Sequence, residues 1–277
     1  MARKVKVLGV QIGPDINDKQ GNIDKVEKLL QEYACFKPDL VVLPEVFNTG
    51  VTSPARAREE SETVPGPTYN ILSSWAKDLS CYMIAGSFTE KCKDGKIRNN
   101  SVFFNFEGKE IANYYKLHMF NYYGSREGEF CSPGNQSVLV KTPLGNIGMS
   151  VCFDLRFSEL YRYLASAGAE ILAVPAAWPY PRLNHWVTLN KARAIENLCF
   201  VIAVNQTGVV PPKRVNVGNS MIIDPWGCIV AGCGEEETVM MATIDLDMVS
   251  KLREEFPLLK DRRLEVYPNM KIVDVTN

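Results

Sequence analysis

The chain has two histidines, His118 and His185, no cysteine pair in a C-x-x-C spacing, no surplus of either charge and no long apolar run. Each shortage removes a class of function. The histidines stand outside any H-E-x-x-H context, and the eight cysteines are scattered at positions 35, 81, 92, 131, 152, 199, 228 and 233. That pattern offers neither a zinc ligand set nor a dense disulfide framework, so no metal is expected and a reducing, cytoplasmic compartment is. Lys plus Arg (31) nearly cancels Asp plus Glu (32), which leaves no positive field for nucleic acid or an anionic membrane surface. No stretch reaches the roughly 18 to 20 consecutive apolar residues needed to span a bilayer. The N-terminal run MARKVKVLGVQIGPD breaks at Gln11, too soon for a signal-peptide core. The turn after the first strand, G-V-Q-I-G-P-D, is neither G-x-G-x-x-G nor a P-loop. A nucleotide-dependent oxidoreductase or transferase is thereby disfavoured, and no cofactor is expected.

What the chain does have is 277 residues, 46% of them hydrophobic, enough for a substantial core. Short Val/Ile/Leu-rich runs predict strands at 5–12, 39–43, 82–88, 147–151, 170–175, 199–204 and 238–244. Apolar residues at helical spacing predict helices over 22–36, 68–79, 157–167 and 185–198. The alternation argues an α/β fold. Residues 100–106 and 110–116 read as a hairpin, as do 219–223 and 228–232 around Asp224-Pro225-Trp226-Gly227, so the sheet should be mixed. No linker, charge block or repeat divides the chain. The expectation is one domain over 1–277, with residues 252–277 as a tail that packs on a neighbouring subunit.

Three segments share one layout, a β-like run that stops at a reactive side chain: DLVVLP before Glu45, EIANYY before Lys116 and GNIGMSV before Cys152. Strand exits are where ligand sites collect in parallel and mixed sheets. Taken singly, each has an ordinary explanation: a turn carboxylate, a surface charge, a buried thiol used as filler. Taken together they supply what covalent amide hydrolysis needs, namely a nucleophile, a base to take its proton and a cation near the developing oxyanion. A Cys-His arrangement would need His118 or His185 to reach Cys152, and neither sits in a protease-like context.

These residues belong to five motifs: L-P-E at 43–45, Y-Y-K-L-H at 114–118, C-F-D-L-R-F-S-E-L at 152–160, P-A-A-W-P at 175–179 and H-W-V-T-L-N-K-A-R-A-I-E-N at 185–197. In this order they resemble the carbon-nitrogen hydrolases of the nitrilase superfamily, from about Val5 to Arg263. The resemblance implies Cys152 as nucleophile, Glu45 as general base and Lys116 as the cation beside the tetrahedral intermediate. It also implies a second glutamate in a pattern like E-x-x-Y-F-x-P-G. Counting back from Pro133-Gly134 makes that Glu127 rather than nearby Glu129, with Phe130 at the Tyr position. The implied fold is a four-layer α-β-β-α sandwich, often doubled across a dimer interface.

A thiol with a pKa near 8.5 is only a few per cent ionised at neutral pH, so a carboxylate must take its proton during attack. Burial would raise the pKa of Glu45 and Lys116 would lower it, and sequence leaves that balance open. Lys116 and the backbone N–H of Phe153 would meet the oxyanion. Asp154, Arg156 and Glu159 read as an ion-pair network holding the turn into the next helix. Arg193, Glu196 and Asn197 read as a structural polar stripe. Trp178, His185 and Arg182 are candidates for the substrate pocket, Arg182 as an anion holder. The expected activity is hydrolysis of a small linear amide with release of ammonia, as in the amidase branch that includes omega-amidases. An N-carbamoyl amine or amino acid hydrolase, a nitrilase, and a non-catalytic binding subunit of the same fold are the alternatives. The amidases of that branch often carry a Tyr soon after the L-P-E glutamate, and P-E-V-F-N-T-G-V-T-S has none.

Overall fold

Strand β1 (Lys4–Gln11) sets the plan of the molecule, because its two faces enter two different cores. The computed structural model describes residues 3–50, 53–211 and 214–273. Side chains alternate across a strand, so Val5 and Val7 join one buried cluster while Leu8 and Val10 join the other. After β1 come α1 (Lys19–Glu32), β2 (Leu40–Val42), α2 (Pro54–Glu59), α3 (Pro67–Asp78), β3 (Tyr82–Ile84), β4 (Phe88–Lys91), β5 (Ile97–Phe104) and β6 (Glu110–Tyr115). The second half runs β7 (Val138–Thr142), β8 (Gly145–Met149), α4 (Ser158–Ser166), β9 (Ile171–Ala176), α5 (Leu183–Asn197) and β10 (Phe200–Asn205). It closes with β11 (Thr207–Val210), β12 (Arg214–Val217), β13 (Met221–Ile223), β14 (Ile229–Gly232), β15 (Thr238–Asp245) and α6 (Asp247–Glu255).

The first sheet has the order β15-β1-β2-β3-β5-β4, with β6 also paired to β5, and the second has the order β14-β13-β10-β9-β8-β7. β11 and β12 form a separate two-stranded ribbon. Both sheets are mixed: β1, β2 and β3 run parallel, as do β8, β9 and β10, and the flanking strands are antiparallel. Helix α1, capped by the Asp18 carboxylate on Gly21 N–H (2.8 Å), lays Ile23, Val26 and Leu30 against the first sheet. Leu72, Trp75 and Ala76 of α3 cover the same face. Leu160, Tyr161 and Leu164 of α4 and Trp186 and Ala194 of α5 pack with the second sheet. The two sheets meet through their other faces, which completes an α-β-β-α sandwich of four layers. Gly9 faces the second sheet at close range, since a Cβ there would lie 3.0 Å from Val204 Cγ2 on β10, and it would also meet Met240 Cε of its strand partner β15 at 2.5 Å.

The structure departs from the sequence expectations in a few places. Residues 82–88 are two strands, broken at Gly86, which has φ +58° and abuts the backbone of Leu43 and Pro44. The break makes room for the segment that delivers Glu45. The helix expected over 22–36 ends at Glu32 and is followed by a 3-10 turn, Ala34–Phe36. The tail expected from residue 252 starts later, because α6 runs to Glu255 and buries Val249 and Leu252. Residues 274–277 of that tail lie outside the described residues. Sequence reading did not anticipate β7, the β11–β12 ribbon, α2 or α6.

Candidate active site

Glu45 hangs from the end of β2, Lys116 from the end of β6 and Cys152 from the end of β8. The first two thus come from one sheet and the third from the other. The residues after the strands adopt conformations that turn the chain sharply. Val46 has φ +39° and Cys152 has φ +50°, a left-handed region unfavourable for side chains with a Cβ and tolerated where surrounding contacts enforce it. A 3-10 turn over Cys152–Arg156 follows and leads into α4.

The three side chains converge. Glu45 Oε1 accepts from Lys116 Nζ (2.8 Å) and from Asn99 Nδ2 (2.9 Å), while Oε2 accepts from the Ala177 backbone N–H (3.0 Å). The Cys152 thiol lies beside the Glu45 carboxylate and the Ala177 N–H, close enough for each to act on its ionisation. Lys116 Nζ further donates to Glu127 Oε1 (2.9 Å) and Oε2 (2.8 Å), and Phe120 N–H fixes Glu127 Oε2 at 2.8 Å. Glu129 is exposed and pairs with Arg126 at 3.6 Å, so Glu127 is the second carboxylate at this centre. Glu45, Lys116 and Cys152 are all buried.

Burial alone would push the Glu45 carboxyl up, but the Lys116 ammonium and the Cys152 hydrogen bond outweigh it and hold the group below the usual carboxylate range. Burial disfavours the Lys116 ammonium, yet Glu127 and Glu45 together raise it well above an ordinary lysine. Burial and the Glu45 charge drive the Cys152 thiol far up, against the opposing pull of Lys116. All three shifts favour the same state, a neutral thiol beside a carboxylate and an ammonium.

Asp154 keeps the two sheets' contributions in register. This fully buried carboxylate accepts from Tyr114 Oη (2.7 Å) and from His118 N–H (3.0 Å), lies 2.7 Å from His118 Nδ1, and accepts from Val151 N–H (2.9 Å). Tyr114 and His118 flank Lys116 two residues to either side, and Asp154 is two residues past Cys152. The expected ion pairs among Asp154, Arg156 and Glu159 do not form among the described residues. Asp154 is spent on the hydrogen bonds just named, Glu159 accepts from Ser158 Oγ (3.3 Å), and the Arg156 guanidinium lies 4.8 Å over the Trp178 ring. Arg193 does act structurally, donating to Leu155 O (2.7 Å) and pairing with Glu196 (2.8 Å), and Asn197 donates back to Arg193 O (2.9 Å).

A cavity of about 820 Å³ opens over the centre. Glu45, Lys116, Glu127, Cys152, Phe153, Trp178 and Arg182 all line it. His185 does not. It lies on the exposed side of α5, its Nδ1 3.1 Å from Arg156 Nη2, because adjacent helix positions face about 100° apart and Trp186 takes the inward one. Trp186 is fully buried, donates to Asn219 O (2.8 Å) and packs on Trp178 with ring centroids 5.8 Å apart. Asn99, Ala177, Gln206 and Arg214 were not anticipated. Asn99 stands in an Asn-Asn pair at the start of an apolar strand and Ala177 within the P-A-A-W-P motif, though it acts through its backbone; the other two lie on or next to the ribbon. Among the described residues, no group of three or more His, Cys, Asp or Glu is placed to hold a metal ion, and no helix is long and apolar enough to cross a membrane.

Comparison with known proteins follows the same lines. Over 264 residues the chain is 36% identical to human deaminated glutathione amidase, covering 91% of this chain and 81% of that protein. It is 34% identical over 272 residues to 2-oxoglutaramate amidase of Paenarthrobacter nicotinovorans, covering 95% and 91%. Among solved structures, the NitFhit protein of C. elegans superposes with a TM-score of 0.87 at 32% identity, over 95% of this chain and 66% of that longer one. Residues 7–254 match the model of the carbon-nitrogen hydrolase family, and with nine-tenths or more of its length shared with these two amidases at better than 30% identity, the chain belongs to the carbon-nitrogen hydrolases.

Proposed function

We propose that the protein hydrolyses the terminal amide of a small linear acid, through a thioester on Cys152, and releases ammonia. The observation that carries this reading is the shared Glu45 carboxylate, which accepts from the Lys116 ammonium at 2.8 Å and lies against the Cys152 thiol closely enough to raise its pKa. As sulfur attacks the amide carbon, the thiol proton passes to Glu45 and the carbonyl oxygen gains the charge that Lys116 and the Phe153 N–H receive. Glu45 returns that proton to the departing nitrogen as the C–N bond breaks. Water then attacks the thioester, gives a proton to Glu45, and the C–S bond breaks as sulfur recovers it. Glu127 holds the ammonium from the far side.

The acid part of the substrate is supported by three guanidinium groups. Arg156, Arg182 and Arg214 line the cavity, and none forms an ion pair with a carboxylate among the described residues. A cavity lined by arginines without carboxylate partners among the described residues suits an anionic ligand, in keeping with the oxo-acid amide named for the Paenarthrobacter relative. Ammonia release across a panel of 2-oxo-acid amides, neutral amides, N-carbamoyl amino acids and nitriles tests this. Silence on every amide removes the amidase reading, and equal turnover of neutral and anionic amides removes the arginines' part in it.

We also read the chain as one cytoplasmic domain that assembles with copies of itself. All eight cysteines are free, which fits a reducing compartment. Leu264, Tyr267, Met270, Ile272 and Val273 of the tail are all exposed, an apolar run that suits a neighbouring subunit.

Two results follow from the charge state. Glu45→Gln keeps the shape of the carboxyl and cannot accept the proton, so kcat should fall by roughly 10²- to 10⁴-fold; wild-type turnover would remove Glu45 as base. The folded Glu45 titrates below an ordinary glutamate, so the acid limb of kcat/KM should lie below about pH 4.3. Activity should then stay flat through neutrality, because Lys116 and Cys152 are both displaced upward. An acid limb between pH 6 and 7 would contradict this assignment.

A further inference from the structure

Glu45 is enclosed by a loop of hydrogen bonds that returns on itself. Its carbonyl accepts from Gln206 Nε2 at 2.6 Å. Gln206 Oε1 accepts from Asn216 Nδ2 at 2.8 Å, and Asn216 Oδ1 accepts from Arg214 Nε at 3.1 Å. Arg214 Nη2 donates to the carbonyl of Ala177, and the Ala177 N–H donates to Glu45 Oε2 at 3.0 Å. Gln206 and Asn216 are almost fully buried, so these bonds have no competition from water. Gln206 follows the end of β10, Ala177 follows β9, and Arg214 and Asn216 belong to the β11–β12 ribbon. The loop thus ties the carboxylate of the first sheet to three segments of the second half of the chain.

We infer that Gln206, Asn216 and Arg214 are positioning residues for Glu45, and that their hydrogen-bonded ring fixes the direction in which its carboxylate faces the Cys152 thiol. Two features require such a brace. The backbone just past Glu45 is in the left-handed region at Val46 (φ +39°), a conformation that persists only where its surroundings enforce it. In addition, the two carboxylate oxygens are already divided, Oε1 to Lys116 and Asn99 and Oε2 to Ala177, so a small rotation would exchange donors and turn the base away from sulfur. Arg214 occupies a further position of interest. It lines the substrate cavity as well as closing the ring, so an anion seated on its guanidinium and the base of the reaction share one connected support.

The inference rests on Glu45 serving as the base of the proposed amidase, and the experiment separates the two. Gln206→Met keeps the length of the side chain and removes both of its hydrogen-bonding ends; Asn216→Ser shortens a different link. Each should lower kcat by on the order of 10- to 100-fold, the scale of a misplaced catalytic group, with KM within about threefold of wild type. The double variant should be little worse than either single one, because one break opens the ring. A second readout needs no substrate, namely the pH dependence of Cys152 alkylation by iodoacetamide. With the carboxylate no longer held against the thiol, the profile should move to lower pH, whereas a role confined to stability would shift the melting temperature and leave the profile in place. Wild-type kcat in a folded Gln206→Met, an unmoved alkylation profile, or losses that simply multiply in the double variant would each overturn the ring. If Gln206→Met does not fold, Asn216→Ser carries both readouts. Failure of the wild-type protein to release ammonia from any amide would count against the amidase reading alone, since the alkylation profile still tests the ring.

Discussion

Cys152→Ala is expected to abolish turnover, by about 10⁴-fold or more, with the protein still folded. No other described side chain offers sulfur to the Glu45 carboxylate, and removing the nucleophile of a covalent mechanism ordinarily costs that much or more. The stability of the variant should change by less than about 1 kcal/mol, because the side chain lost is small and alanine meets the same backbone strain. Cys152→Gly should go further in one respect. Its φ of +50° is a conformation that glycine adopts freely, so this inactive variant should be more stable than Cys152→Ala by about 1 kcal/mol. Chemical denaturation of the two variants beside an ammonia assay checks both statements. Residual activity near wild type in Cys152→Ala would sink the thioester mechanism outright.

Lys116→Met should damage both activity and folding. Its ammonium is the only cation bonded to Glu45 and Glu127 among the described residues, at 2.8 and 2.8 Å, and is itself almost fully buried. Removing it leaves the buried Glu45 carboxyl and the partly buried Glu127 carboxyl without their shared cation, and breaking a buried pair in this way costs about 3 to 5 kcal/mol. Loss of an oxyanion donor adds roughly 10²- to 10³-fold in kcat. The sign of the pH dependence distinguishes this from a packing defect. In the native protein the raised Lys116 contributes stability that is complete below its unfolded pKa of about 10.4 and is lost as pH rises through its folded value. The lowered Glu45 contributes stability that is complete above about 4.3 and is lost as pH falls through its folded value. Once the lysine is gone, the carboxyl pair is relieved by protonation instead. The destabilisation of Lys116→Met should therefore shrink between pH 7 and pH 5, and an equal deficit at both would argue against a charge effect.

Much of this centre can be read from sequence because three strands stop at the residues that matter: L-P-E, Y-Y-K and G-M-S-V-C are each a strand exit together with its chemistry. Glu127 was reachable by counting back from Pro133-Gly134. The four-layer sandwich came from the likeness of those motifs to a family, since periodicity alone argued only α/β and mixed pairing. Other features were hidden for physical reasons. Ala177 contributes an N–H and a carbonyl, which every residue has. Gln206 and Asn216 are separated from Glu45 by 160 or more positions and meet it only after both sheets are assembled. Asp154 looked like a partner for Arg156 because opposite charges two apart invite that reading, whereas burial favoured bonds to Tyr114, His118 and the backbone. His185 beside a tryptophan looked like pocket lining, and the helix turned it outward.

The narrow contact at Gly9 has a consequence for how the protein fails. Glu45 and Lys116, the proposed base and cation, ride on one half of the sandwich and Cys152, the proposed nucleophile, on the other, so the three side chains meet only while the halves are docked face to face. Mild heat or denaturant that loosens this seam should silence ammonia release while circular dichroism still reports intact helices and strands, and a bulkier residue wedged in at position 9 should bring that silence on earlier. Catalysis here is a gauge of docking, and it should read zero before the secondary structure melts.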